Sequence, residues 1–168
     1  GSGDLAASPE LCLLQLASTA SLSKTVQIGY ELCGTYSIDA YASSGFTRRD
    51  PLTTPELCRS FMGRMAPRPG LQTARKAVEL ILPGSASPME TIVAMLLSFP
   101  RRLGGYGLPQ PTLNAKVKAA GAPLRGGWSS GVRICDLYWP NHRVAVEYDS
   151  NDWHTGSDRI SSDAIRRV

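Results

Sequence analysis

Residues 134–149 read ICDLYWPNHRVAVEYD, and no other stretch constrains the chain so tightly. Two runs rich in β-branched and aromatic residues flank a turn signal at Pro140, Asn141 and His142, which predicts an antiparallel hairpin. Side chains alternate along a strand, so Val132, Ile134, Asp136 and Tyr138 share one face and Cys135, Leu137 and Trp139 the other. On the second strand Ala145, Glu147 and Asp149 share a face, while Val144, Val146 and Tyr148 point away. Folding about the turn brings Asp136 opposite Glu147 or within one residue of it. Like charges placed opposite on a sheet cost a few tenths to about 1 kcal/mol. Three carboxylates on an otherwise apolar hairpin therefore point to a cation that gathers them, and an oxygen-seeking ion such as Mg2+ suits the set. The plainer alternative leaves Asp136 and Glu147 at a solvated sheet edge, with Asp149 opening the turn that Ser150 and Asn151 continue.

The chain pattern also resembles a known family. Asp136, the run Glu147-Tyr148-Asp149-Ser150 after a short hairpin, His154 and an Arg-bearing helix together are similar to PD-(D/E)XK nucleases. The nearest branch is the one around very-short-patch-repair endonucleases and the uncharacterised bacterial proteins grouped with them. The resemblance spans residues 85–168, but the family's usual lysine is missing, and Asp149 stands in its place. It implies a restriction-endonuclease-like αβββα core, with Asp136, Glu147 and Asp149 holding Mg2+ (or Mn2+). It also implies a supporting role for His154, as a base or a phosphate contact, and a Glu on the first core helix, here Glu90, pointing at the metal. The family's core continues with a further strand, so the resemblance implies a C-terminally incomplete domain.

Organisation along the chain fits an α+β protein with a helical N-terminal region, residues 1–84, ahead of the nuclease-like part, 85–168. Gly1-Ser2-Gly3 reads as a cloning remnant. The first half lacks clear strands. Ser8-Pro9-Glu10 and Thr54-Pro55-Glu56 each offer an N-cap followed by Pro at the first helical position, predicting helices over 9–17 and 55–65. Further helices are predicted over 23–33, stopped by Gly34, and over 71–82, with Ala74, Val78, Ile81 and Leu82 as the apolar face. Pro83-Gly84-Ser85 marks a joint. Ser87-Pro88-Met89-Glu90 then opens an apolar helix that Pro100 ends, a weak strand follows over 113–118, and a last helix runs from 157.

Charge is distributed unevenly. Residues 101–168 carry ten Lys and Arg against six Asp and Glu, whereas residues 1–100 carry eight of each. The +4 excess thus lies in the half that holds the carboxylates, as suits a metal site that attracts a polyanion. Arg159, Arg166 and Arg167 are candidate phosphate contacts, although Arg159–Asp163 and Asp163–Arg167 are also spaced as helix-surface ion pairs. Trp139, Tyr148 and Trp153 could stack on bases if exposed, or fill the core. Ser87-x-x-Glu90 is equally a capping box, which offers Glu90 a purely structural role. His142 reads as a turn residue. Cys12, Cys33, Cys58 and Cys135 have no metal-ligand spacing and read as buried thiols, not zinc ligands or a disulfide framework. The Gly104-Gly105-Tyr106-Gly107 run lacks the Lys-Ser/Thr ending of a phosphate-binding loop. No apolar run reaches membrane-spanning length and no signal peptide is visible, so the expectation is a cytoplasmic protein without a membrane partner.

Three functions remain open on these residues. The first is a metal-dependent endonuclease hydrolysing DNA phosphodiesters, with RNA the lesser expectation. The second is a non-catalytic DNA-binding or antitoxin-like regulator using the same fold. The third is an interaction module without nucleic acid, which leaves the carboxylates unexplained.

Overall fold

A computed structural model describes residues 6–118 and 132–148. The fold class is α+β, as expected, with five α-helices and two small antiparallel sheets among the described residues. None of these helices is long and apolar enough to cross a membrane.

Helix starts follow the local signals closely. In α1 (Pro9–Leu16), α2 (Leu22–Cys33), α3 (Pro55–Arg64) and α5 (Pro88–Ser98), the preceding Ser8, Ser21, Thr54 or Ser87 accepts a hydrogen bond from a first-turn N–H, at 3.1–3.3 Å. Each bond satisfies a donor that the helix itself leaves unpaired, and Pro at the first position of α1, α3 and α5 gives up no bond. Helix α4 (Leu71–Val78) is shorter than its pattern suggested. Ile81 and Leu82 are buried as expected, but Leu80 and Ile81 bond back three residues in tight turns, because Pro83 disfavours helix in the residue before it. Helices α1 to α4 close around Leu13, Val26, Tyr30, Met62, Ala74 and Val78, and the same apolar cluster takes in Ala94 of α5 and Leu137 and Trp139 from the sheet. All four cysteines are free thiols, and Cys33, Cys58 and Cys135 are buried. Donation of the Cys33 thiol proton to the Cys58 sulfur, together with burial, holds the Cys33 pKa far above the ordinary thiol range.

The expectation of a first half without strands is corrected. A hairpin of β1 (Tyr36–Ile38) and β2 (Phe46–Arg48) follows α2, with Tyr36 opposite Arg48 and Ile38 opposite Phe46. Three residues per strand are too few for alternation to stand out; the legible sign was the polar turn between them, with Asp39, Ser43, Ser44 and Gly45. The hairpin is held by contacts outside itself. Arg49 donates to the Glu31 carbonyl at the end of α2 (2.6 Å) and to the Asp50 carbonyl (2.7 Å), while the Glu31 carboxylate accepts the Ile38 N–H (2.9 Å). Tyr36, Thr91 and Ser85 form a chain of buried hydroxyl contacts at 2.9 and 2.8 Å that fastens β1 to α5.

The second sheet has the order β3-β4-β5, from β3 (Thr112–Lys118), β4 (Val132–Trp139) and β5 (Val144–Val146). The turn at residues 140–143 joins the last two strands. Cys135, Leu137 and Trp139 face the core, and the Trp139 indole donates to the Pro109 carbonyl (2.6 Å). The helix expected from residue 157 lies outside the described residues.

Two substitutions test this arrangement. Gly70 caps α4 at φ 81°, and a Cβ there would meet the Ser18 backbone N at 2.6 Å. Gly70→Ala should cost about 1–3 kcal/mol through left-handed strain, before the clash is counted; thermal unfolding should show the midpoint lowered by roughly 2–4 °C per kcal/mol. Burial raises the Tyr36 pKa above 10.0. The folded state therefore holds that proton more tightly than the unfolded one. The resulting stability is complete below the unfolded pKa and is lost as pH rises through the folded value. Tyr36→Phe should cost about 1 kcal/mol at neutral pH, as one buried hydrogen bond is removed, and should flatten the alkaline decline in denaturant midpoint above about pH 10.

Candidate functional site

Asp136 and Tyr148 of the hairpin segment and Glu90 of α5 meet at a cleft. It has a volume of about 640 Å3 and lies between the β1–β2 hairpin, the start of α5 and the sheet. Glu90 and Asp136 both line it, although 46 positions separate them in the chain. Tyr148 lines it as well, beside Asp136.

Glu90 sits there because of its cap. Ser87 accepts the Glu90 N–H and donates its hydroxyl to Glu90 Oε1, each at 3.1 Å. Oε2 accepts the Ala86 N–H at 2.9 Å and the Asn114 side-chain amide at 2.7 Å. With 8% of its surface exposed, Glu90 is a carboxylate held by three donors, and both readings of Ser87-x-x-Glu90 meet in it: it caps the helix and it faces the cleft. Asn114 makes this possible through a local irregularity in β3. Its φ is 48°, a left-handed conformation that Asn tolerates better than most residues, and its amide reaches Gly84 O (2.9 Å) as well as Glu90. The β3–β4 register is unbroken on either side, with Leu113 opposite Leu137 and Ala115 opposite Cys135, so Asn114 lies across from Asp136.

Asp136 is half-buried on the central strand, and its Oδ2 accepts the Tyr148 N–H at 2.7 Å. No hydrogen bond among the described residues engages its Oδ1. Leu137 pairs with Val146, so the β4–β5 register carried one residue further sets Asp136 against Glu147. Glu147 is exposed and lies outside the cleft walls. The two carboxylates act on a common neighbour: burial, followed by the charges of Glu147 and Asp136, pushes the Cys135 thiol pKa up. Trp139 is core, as is Leu137 beside it, while Tyr148 is partly exposed at the cleft. Asp149, His154, Arg159, Arg166 and Arg167 lie outside the described residues, as does Trp153.

Four cleft residues were missed in the sequence: Ser43, Ser44, Phe46 and Arg48 on the β1–β2 hairpin. Nothing in the spacing of those residues relates them to a carboxylate 40 or more positions away; only the packing of Tyr36 on α5 does.

The donors present suit a hard cation. Asp136 and Glu147 offer oxygen alone, and Mg2+ is commonly held by one or two carboxylates with water completing the shell. Among the described residues, no group of three His, Cys, Asp or Glu side chains is close enough to hold an ion unaided. No protein-family model matches the chain, and no curated protein or solved structure is significantly similar to it.

The Asn114 link is open to a direct comparison. Asn114→Ala removes two bonds and leaves a non-glycine residue in the left-handed region, for an expected loss of about 2–4 kcal/mol. Asn114→Gly removes the same bonds without the strain, so it should unfold at higher urea than the Ala variant. Equal midpoints would show that the backbone at residue 114 carries no strain.

Proposed function

We propose that the chain is a divalent-metal-dependent nuclease of the PD-(D/E)XK kind, hydrolysing phosphodiester bonds in DNA. The convergence of Glu90 and Asp136 on one cleft supports this reading, since an α5 Glu and a central-strand Asp are the positions that the resemblance assigns to the metal side of the site. Asp136 and Glu147 hold the cation in this proposal, and Asp149 is a third ligand. A bound Mg2+ or Mn2+ supplies Lewis acidity toward a phosphate oxygen. Hydrolysis adds water across the phosphodiester: one P–O ester bond breaks, and the leaving oxygen takes a proton. Glu90, fixed by Ala86, Ser87 and Asn114, is pre-oriented and needs no rearrangement to orient an incoming group. His154 is the assigned base or phosphate contact, and Arg159, Arg166 and Arg167 are assigned to the DNA backbone.

One observation favours a second reading, a DNA-binding or antitoxin-like regulator that does not cleave. Both Glu90 oxygens already serve the helix cap and the β3 link, a purely architectural use of the carboxylate.

Asp136→Asn separates the two. In the nuclease, the substitution removes a charged ligand and should reduce Mg2+- or Mn2+-dependent cleavage of DNA at least 100-fold, roughly 3 kcal/mol of barrier, with an unchanged circular-dichroism spectrum. Glu147→Gln should act in the same direction. Binding without cleavage by the unmodified chain, in either metal, would leave the regulator as the correct reading.

A further inference from the structure

Two adjacent arginines on β2 and just after it are used differently. Arg49 is consumed by structure, donating to the carbonyls of Glu31 and Asp50. Arg48 is exposed and lines the cleft, and no hydrogen bond or ion pair engages its guanidinium among the described residues. Glu90 and Asp136 line the same cleft, yet neither pairs with it. A guanidinium that shares a cleft with two carboxylates and pairs with neither remains available to an incoming anion. Guanidinium geometry matches phosphate oxygens in a bidentate fork.

The wall beside it is aromatic. Phe46 lines the cleft, and Tyr36 meets its ring edge-on, with 6.2 Å between centroids and 85° between planes. Tyr36 is itself anchored by Thr91, so the Phe46 ring is held from a fixed support. The Ser44 hydroxyl is turned inward to the Phe46 carbonyl (2.7 Å), which stiffens the same turn. Space sets the last condition. A volume of about 640 Å3 is that of a pocket for one small-molecule-sized group, and bases within a duplex are stacked and paired, out of reach of such a wall.

We propose that the β1–β2 hairpin is a binding site for an unpaired nucleotide of a DNA strand, with the phosphate on Arg48 and the base or sugar against Phe46. This inference rests on the nucleic-acid reading above and gives it a substrate class: single-stranded DNA, or duplex with an extruded or unpaired nucleotide. It also gives the N-terminal region a part in the site. Arg48 and Phe46 bind substrate here; the cleavage chemistry stays with the carboxylates.

The test is fluorescence anisotropy of the full chain in Ca2+ buffer, with a labelled single-stranded oligonucleotide, the matching duplex, and the single strand carrying one abasic position. The expected result is tighter binding to the single strand than to the duplex. Arg48→Ala should weaken single-strand binding about 10-fold or more, as for a lost charge-assisted contact, and should lower the slope of log Kd against log salt by about 0.7. Arg48→Lys should restore that slope and Arg48→Gln should not, which a merely structural role would not produce. Phe46→Leu should weaken single-strand binding about 5-fold or more, within the range for a lost stacking partner, and should erase the difference between intact and abasic strands; a melting curve verifies that each variant is folded. Equal affinity for single strand and duplex, or an Arg48→Ala variant with unchanged affinity and salt slope, would overturn the proposal. If Asp136→Asn abolishes cleavage while Arg48→Ala binds and cleaves as before, this inference fails and the nuclease stands. If single-strand binding depends on Arg48 but no metal supports cleavage, the nuclease fails and the binding site stands. Absence of binding to any of the three probes overturns both.

Discussion

The buried hydroxyl chain Tyr36–Thr91–Ser85 is the contact on which the cleft depends. Three polar groups are taken from water, and each is compensated by a neighbour in the chain. A buried hydroxyl without a partner costs more than a hydrogen bond returns, so the alternatives to this arrangement are poor. Two backbone bonds beside it, Thr35 N–H to Ser85 O at 2.8 Å and Gly84 N–H to Cys33 O at 3.3 Å, repeat the same connection. Together they set the end of α2, the start of β1 and the approach to α5 in one register. The hairpin that carries Phe46 and Arg48 is thereby held over the segment that carries Glu90.

A second constraint runs from α5 to the sheet through Asn114. Its left-handed backbone is tolerated because the side chain gains two acceptors, one of them a carboxylate. That carboxylate is Glu90, whose other bonds close the first turn of α5. Helix capping, strand irregularity and cleft lining are therefore one polar network. Its cost and benefit cannot be divided among its members, as groups that share partners are not additive. The same network explains why a glutamate with only 8% of its surface exposed is tolerated there: three donors replace the water it loses.

Electrostatically the cleft is mixed. Among the described residues, two carboxylates and one guanidinium line it without pairing with one another. Arg59 and Glu79, which do not line the cleft, form an exposed ion pair at 2.8 Å. An exposed pair of that kind contributes about 1 kcal/mol at most, so the energetic weight of the charged groups lies in how they are oriented at the cleft.

The helices were legible in the sequence because their signals are local. Ser8, Thr54 and Ser87 cap N–H groups of the next turn and are each followed by a proline preset for the first helical position, whereas α2 begins at Leu22 behind a Ser21 cap and not at residue 23. The alternation of Cys135, Leu137 and Trp139 against Ile134, Asp136 and Tyr138 likewise follows from the period of a strand, and it placed Asp136 across from the start of the Glu147 segment. The hairpin at residues 36–48 was not legible, because three-residue strands carry too little pattern and their stability comes from Arg49, Glu31 and Thr91 elsewhere in the chain. The sequence by itself determined the five helices to within a few residues, the strands of the second sheet, and that Asp136 and Glu147 fall across from each other on one hairpin. Tertiary structure alone decided that Phe46 and Arg48 join Glu90 and Asp136 at one cleft, since that depends on buried hydrogen bonds between residues 30 to 55 positions apart, whose strength comes from the exclusion of water and leaves no periodic trace in the chain.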